Sequence, residues 1–184
     1  QYADVNDSVT GFYADAKYIF PVSLKPFIAA QYYYTDWDAT GSNDNSLYGF
    51  KTGLSIKKVD LFAGYTLASG SAGETRVFRG VGQGAYYQYT STTKSAGAGA
   101  FEAGTDSYQV GAAYKYKKLA TMVRYTNFDN PAANADLEEY TLNLAYTFSE
   151  LLKGFSISAD YTILDYENNA KDATDLRTRL IYSF

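Results

Sequence analysis

Lys51, Arg124, Asp160 and Arg179 each sit in the middle of a stretch in which apolar and polar residues alternate. In a strand, odd and even side chains point to opposite faces. Each charge therefore lies behind a row of Leu, Ile, Val, Tyr and Phe. Asp15, Lys17, Asp60, Lys115, Glu139 and Arg177 occupy the same kind of position. Counted from the nearer short connection, the first four lie at similar distances along their strands. Three cations and one carboxylate on one belt would hold or steer an anion or a carboxylate by charge. Covalent chemistry has fewer parts to work with. The chain has no Cys and no His, which removes thiolate nucleophiles, thiolate metal sites, disulfides and the usual general base. Taken singly, each charge also reads as one end of an interstrand salt bridge of small worth on a wet wall. Taken together they read as a ring of charge at a pore constriction.

The elements that must position these groups follow from alternation and turn residues. The pattern predicts nine strands, at 10–20, 27–37, 46–56, 59–68, 107–116, 119–128, 138–148, 155–166 and 174–184. Each is near the roughly 9–11 residues that a tilted strand needs to cross a bilayer. The apolar faces read Tyr48/Phe50/Thr52/Leu54/Ile56, Val59/Leu61/Ala63/Tyr65/Leu67 and Tyr108/Val110/Ala112/Tyr114/Tyr116. Later come Tyr140/Leu142/Leu144/Tyr146/Phe148 and Phe155/Ile157/Ala159/Tyr161/Ile163. In FIAAQYYYTDW (27–37) either face could be the apolar one. Short connections (21–26, Lys57-Lys58, Lys117-Lys118, 149–154) alternate with long ones (38–45, 69–106, 129–137, 167–173), as in a membrane barrel with short periplasmic turns and longer external loops. Lys-Lys is an unusual two-residue hairpin, because such turns favour Gly or Asn.

Composition narrows the class. The 184 residues suit one domain, with 20 Tyr, 11 Phe, 15 Gly and 3 Pro, a β-rich balance. Mean hydropathy is -0.30, and no apolar run approaches the length of a membrane helix. A barrel is compatible with that mean, because outward and inward residues alternate. A net charge of -4 argues against a nucleic-acid partner.

The last nine residues, LRTRLIYSF, alternate to a terminal aromatic at Phe184, as the final strand of an outer-membrane barrel does. With that end in the periplasm, every short turn is periplasmic and strand 10–20 starts outside the cell. Single-chain bacterial barrels usually have an even strand number. The expectation is therefore that this chain is the carboxy-terminal part of a larger barrel; a cryptic strand within 69–106 is the alternative.

From Thr141 onward, LNLAYTFSELLKGFSISADYTILDYENN and DLRTRLIYSF resemble the closing hairpin and last strand of the OprD-like substrate-selective porins. That broad group includes the epsilonproteobacterial major outer-membrane porins. The Leu152-Lys153-Gly154 turn, the alternation after it, the Asp/Asn-rich loop and the arginine-bearing last strand carry the likeness. The resemblance implies an all-β transmembrane antiparallel up-and-down barrel of eighteen strands, of which 1–184 would be the second half. It also implies that a long external loop folds into the lumen, with 69–106 as its counterpart here.

Segment 69–106 is rich in Gly, Ala, Ser and Tyr, and Arg76, Arg79, Tyr86 and Tyr87 are its candidate constriction residues. A loop of this length is usually functional or disordered; the other reading is a mobile surface loop. No cofactor is expected. External acids (Asp38, Asp44, Asp129, Asp136, Glu167, Asp172, Asp175) could bind a divalent cation such as calcium, though none has the spacing of an EF-hand loop. The expected function is a passive diffusion channel for small hydrophilic solutes in the bacterial outer membrane, with an anion or carboxylate bias. A structural or adhesive barrel with a closed lumen is the alternative, and an enzyme is disfavoured by the missing His. Expected partners are outer-membrane lipid and lipopolysaccharide, the remaining amino-terminal strands of the same barrel, and identical subunits if the protein forms a homotrimer.

Overall fold

The computed structural model describes residues 2–5, 9–38, 43–71, 74, 102–129, 136–148, 154–167 and 172–182. The strands are β1 (Tyr2–Val5), β2 (Val9–Ile19), β3 (Phe27–Trp37), β4 (Asn45–Ile56), β5 (Val59–Ala68), β6 (Asp106–Tyr116), β7 (Leu119–Asp129), β8 (Leu137–Thr147), β9 (Phe155–Tyr166) and β10 (Ala173–Tyr182). They form one sheet in chain order, and every neighbouring pair is antiparallel. The nine long strands are the expected ones, with ends shifted by a residue or two. β1 is additional. Its four residues pair with Val9–Phe12, and so short a run holds too few alternations to stand out in sequence.

Both Lys-Lys connections are tight hairpins, with Ile56 opposite Val59 and Tyr116 opposite Leu119. Lys57 and Lys117 take left-handed φ values of 58° and 52°, whereas Lys58 and Lys118 do not. A positive φ at the first central residue belongs to the primed hairpin turns, which suit the twist of antiparallel strands. The exposed carbonyls are used: Lys58 accepts from the Lys115 amide and Lys118 from the Thr147 amide, at 3.2 and 3.0 Å. Lys58 and Lys117 also lay their ammonium groups 4.2 and 5.3 Å from the Tyr116 ring centre.

One face of the sheet is apolar and exposed from end to end, including Phe50, Leu61, Val110, Val123, Leu142, Leu144, Ile157, Tyr161 and Leu180. A continuous patch of this extent marks a surface that meets a membrane or another protein. Aromatic pairs border it at both strand ends. Tyr108, Tyr125 and Tyr140 form a ladder with ring centres 5.8 and 5.1 Å apart, and at the other end Tyr146 pairs with Phe148 and Phe155 with Tyr182. β3 joins this surface through Ile28, Ala30, Tyr32 and Tyr34, while Ala29, Gln31, Tyr33 and Thr35 are buried on the other side. That resolves the facing its sequence leaves open.

The opposite face is divided. Toward the long connections it carries a buried band: Tyr33, Leu47, Thr66, Phe128, Leu137, Glu139 and Thr162 have no exposure. Toward the short connections it opens, and Lys17, Ile19, Lys115, Arg179 and Ile181 are exposed. The long connection is tied at its root. The Ser69 amide donates to the Ser46 carbonyl at 2.7 Å, the Ala68 amide to the Thr105 carbonyl at 2.9 Å and the Gly104 amide to the Ser69 carbonyl at 3.3 Å.

Candidate functional site

The polar face is organised in register rows that cross the strands. One row runs Lys17, Ala29, Lys51, Gly64, Gln109, Thr126, Glu139, Leu164. The next runs Ile19, Phe27, Gly53, Phe62, Gly111, Arg124, Thr141, Thr162, Asp175. Beyond them Asn143, Asp160 and Arg177 share a third row, and Lys115, Ser158 and Arg179 lie on a fourth. Lys51, Arg124, Asp160 and Arg179 thus fall on successive rows as the chain advances from β4 to β10. Rows lie perpendicular to strands, so a sheet of tilted strands keeps a level belt only by such stepping.

Three of the expected cations are held by acids on the same wall. An Arg124 terminal nitrogen lies 3.8 Å from Glu139, whose side chain is wholly enclosed, and Thr141 Oγ1 donates to Glu139 at 2.9 Å. Arg179 donates to Asp160 at 2.7 Å while Asn143 donates to the other Asp160 oxygen. Arg177 pairs with Asp175 at 2.6 Å. Buried carboxylates need such donors, since an unpaired buried charge is costly. The salt bridges that each charge suggested by itself are therefore present for these three arginines. Asp15 lies opposite Gln31, and Lys115 opposite Ala120 near the short connections.

The lysines are held differently. Lys17 Nζ stands 4.3 Å from the Phe27 ring centre, and Lys51 Nζ stands 4.7 Å from that of Phe62. Each ring lies against a glycine on the next strand. A Cβ at Gly53 would overlap Phe27 and the Leu61 carbonyl oxygen, and one at Gly111 would overlap Phe62. The same three-residue device, Lys on one strand, Phe on the next and Gly on the third, is thus built twice, two strands apart. Sequence reading missed it. Its signal was Phe27 and Phe62 standing on what should be a polar face, with Gly opposite. A cleft of about 390 Å³ opens here, lined by Lys17, Lys25, Lys51, Phe27, Phe62 and Asp60 among others.

Arg76, Arg79, Tyr86 and Tyr87 lie outside the described residues, as does 149–153 with most of the Leu-Lys-Gly turn. Several external acids have structural partners: Asp44 accepts from the Tyr34 hydroxyl at 2.8 Å and Asp172 from the Tyr166 amide at 2.9 Å. Among the described residues no three acids are grouped to hold a metal ion.

No protein-family profile matches the chain, and no curated protein sequence matches it. Solved structures do. The sheet superposes on Acinetobacter baumannii OccAB2 with TM-score 0.77 at 22% identity, covering 98% of this chain and 49% of that one. Pseudomonas aeruginosa OpdK, solved with vanillate, gives TM-score 0.77 at 19% identity, with 98% and 50% covered. The outer-membrane protein OprD of the same species gives 0.72 at 16%, with 98% and 53% covered. The chain spans about half the length of these structures, and it has the fold of one half of an OprD-type outer-membrane porin barrel.

Proposed function

We propose that this chain forms half the wall of a passive diffusion channel in a bacterial outer membrane, biased toward small anions and carboxylates. The carrying observation is the pairing of an exposed apolar face with a cation-bearing polar face on one porin-type sheet. In this reading Phe50, Leu142 and their neighbours meet lipid, lipopolysaccharide or a neighbouring subunit of a homotrimer. Preceding strands of the same polypeptide complete the barrel, and 69–106 narrows the lumen. Native mass tests whether preceding strands complete the barrel. A polypeptide of about 40 kDa fits an eighteen-strand barrel, whereas 20.3 kDa would not.

The decisive measurement is conductance and reversal potential of the full-length protein in planar bilayers under a salt gradient. An anion-preferring channel supports the reading, and Arg124→Ala and Arg179→Ala should each shift it toward cations, more at low salt than at high. One feature favours the rival, a structural barrel with a closed lumen: the polar face is fully buried at Tyr33, Leu47, Phe128 and Leu137. Absence of conductance in inserted protein would select that rival.

A further inference from the structure

We infer that the two Lys-Lys hairpins, β4–β5 and β6–β7, together form a binding site for an anionic phospholipid of the periplasmic leaflet. Lys58 and Lys117 take its phosphate, and the outward Tyr116 ring holds them at the membrane border. The inference rests on the reading that the apolar face meets lipid, and it adds which lipid and where.

The strand ends at the two hairpins carry an uneven charge. Residues 54–61 and 114–121 hold Lys57, Lys58, Lys115, Lys117 and Lys118, with Asp60 as their acid. Asp60 faces the cleft on the polar side, where it accepts from the Ser55 hydroxyl. Among the described residues neither Lys58 nor Lys117 is paired with a carboxylate. The opposite ends of the strands are acidic, with Asp106, Asp129, Glu138 and Asp165. Short turns of a porin-type barrel lie in the periplasm. In that orientation the lysine end meets the leaflet built from phospholipid, and the acidic end meets lipopolysaccharide.

Where these lysines point sets them apart from an ordinary solvated turn. Lys58 leaves one hairpin and Lys117 the other, yet both ammonium groups settle on one ring, 4.2 and 5.3 Å from the centre of Tyr116. β5 and β6 are hydrogen-bonded neighbours, and the Lys115 amide donates to the Lys58 carbonyl at 3.2 Å, which ties the two turns together. Tyr116 belongs to the apolar face, opposite Leu119. The ring quadrupole thus draws charge from the aqueous turn onto the lipid side. An ammonium over a ring still has N–H groups to give, because it carries three donors. Along β6 the face continues through Tyr114 and Val110, with Leu119 beside it, and all three are exposed. They make a seat for acyl chains next to the phosphate. Lys117 also keeps its place at a φ of 52°, where glycine or asparagine is the easier residue. Strain of this kind is retained at ligand clamps.

The test uses the full-length protein in detergent micelles, with phosphatidylglycerol or phosphatidylcholine added and bound lipid read by native mass spectrometry. Heat-modifiable gel mobility confirms that each variant is folded. The parent should hold phosphatidylglycerol in preference to phosphatidylcholine. Lys58→Ala/Lys117→Ala should weaken phosphatidylglycerol on the order of tenfold and leave phosphatidylcholine unchanged. Lys58→Gln alone serves if the paired variant does not fold. Lys57→Asn/Lys118→Asn removes the same charge from the same turns, yet should weaken it less than about threefold. Tyr116→Leu removes no charge but should lower the preference, whereas Tyr116→Phe should retain it. Equal losses in the two lysine pairs would overturn the site, since general surface charge would then be responsible. Tyr116→Leu equal to the parent would overturn it as well.

The phosphatidylcholine arm separates this inference from the reading it rests on. Equal binding of the two lipids by the parent overturns the phosphate site and leaves the apolar face lipid-facing. Binding of neither lipid overturns both. Inorganic phosphate at matched ionic strength should not displace phosphatidylglycerol; displacement would reduce the site to one for free anions and overturn the lipid assignment.

Discussion

Arg124 and Glu139 show what a charge on this wall needs in order to be tolerated. Glu139 is completely enclosed, and both Arg124 and Thr141 approach its carboxylate. Arg124→Ala should therefore destabilise the sheet by about 3 kcal/mol, the usual scale when a buried pair loses one partner. Urea unfolding in lipid vesicles would measure it. Asp160→Asn works on the other pair. Arg179 keeps its place beside the residue but the negative charge disappears, so reversal potential should move toward anions, opposite to Arg179→Ala. Asp136, ahead of β8, lies outside the strands. Its carboxyl is held above the ordinary range, first by desolvation and next by Asp129 and Glu167, with a hydrogen bond to Asp129 adding to these. An acid whose folded-state pKa is raised weakens the fold above that pKa, and protonation removes the penalty. Asp136→Asn should raise the melting temperature at neutral pH and lose that advantage as acid titrates the parent.

At the scale of the element, the two Lys-Lys hairpins trade backbone comfort for side-chain contact. Left-handed φ at a residue with a Cβ costs roughly 1 kcal/mol, and Asn adopts it more readily than Lys. Lys57→Asn should accordingly raise the denaturation midpoint slightly. Lys58→Ala should lower it, by about 0.5–1 kcal/mol, through loss of the cation over Tyr116. The inward glycines give a graded comparison. Gly53→Ala meets a carbonyl oxygen that cannot move without shifting β5, whereas the atoms nearest an added Cβ at Gly111 belong to the Phe62 ring. Overpacking of this kind costs about 1–3 kcal/mol, and Gly53→Ala should lie at the upper end. Gly111→Ala should instead be read in ion selectivity, since it lifts the ring beneath Lys51.

For the whole molecule, the sheet presents one apolar and one polar face. Leu144 lies in the exposed apolar face between Tyr146 and Leu142, so Leu144→Arg would place a charge against hydrocarbon and cost about 2–4 kcal/mol near the midplane. Unfolding from vesicles should show that loss, and a value near zero would argue that this face meets water. The polar face changes character along its height: an enclosed band toward the long connections, an open charged wall toward the short ones. In the proposed channel, a solute moving along this wall would pass the enclosed band first and the lysine cleft second.

Alternation along single strands was enough to establish nine long strands, the apolar faces of β4, β5, β6, β8, β9 and β10 and the two Lys-Lys turns. Facing is a local property with a period of two residues, and a run such as TLNLAYTF states it without help from the rest of the chain. The facing of β3 was not legible, because its aromatics fall on both sides. Register decided it, placing Tyr33 against Leu47 and Tyr13 within the buried band. The short β1 also depended on its partner strand. The lysine cleft was legible only in part: Lys17 and Lys51 were visible as inward charges, but Phe27 and Phe62 beneath them were not. Those contacts run diagonally between strands joined by separate connections, so they depend on how β2, β3, β4 and β5 align. Which residues can face a lumen is written in each strand; which of them meet there is set by the stagger of the assembled sheet.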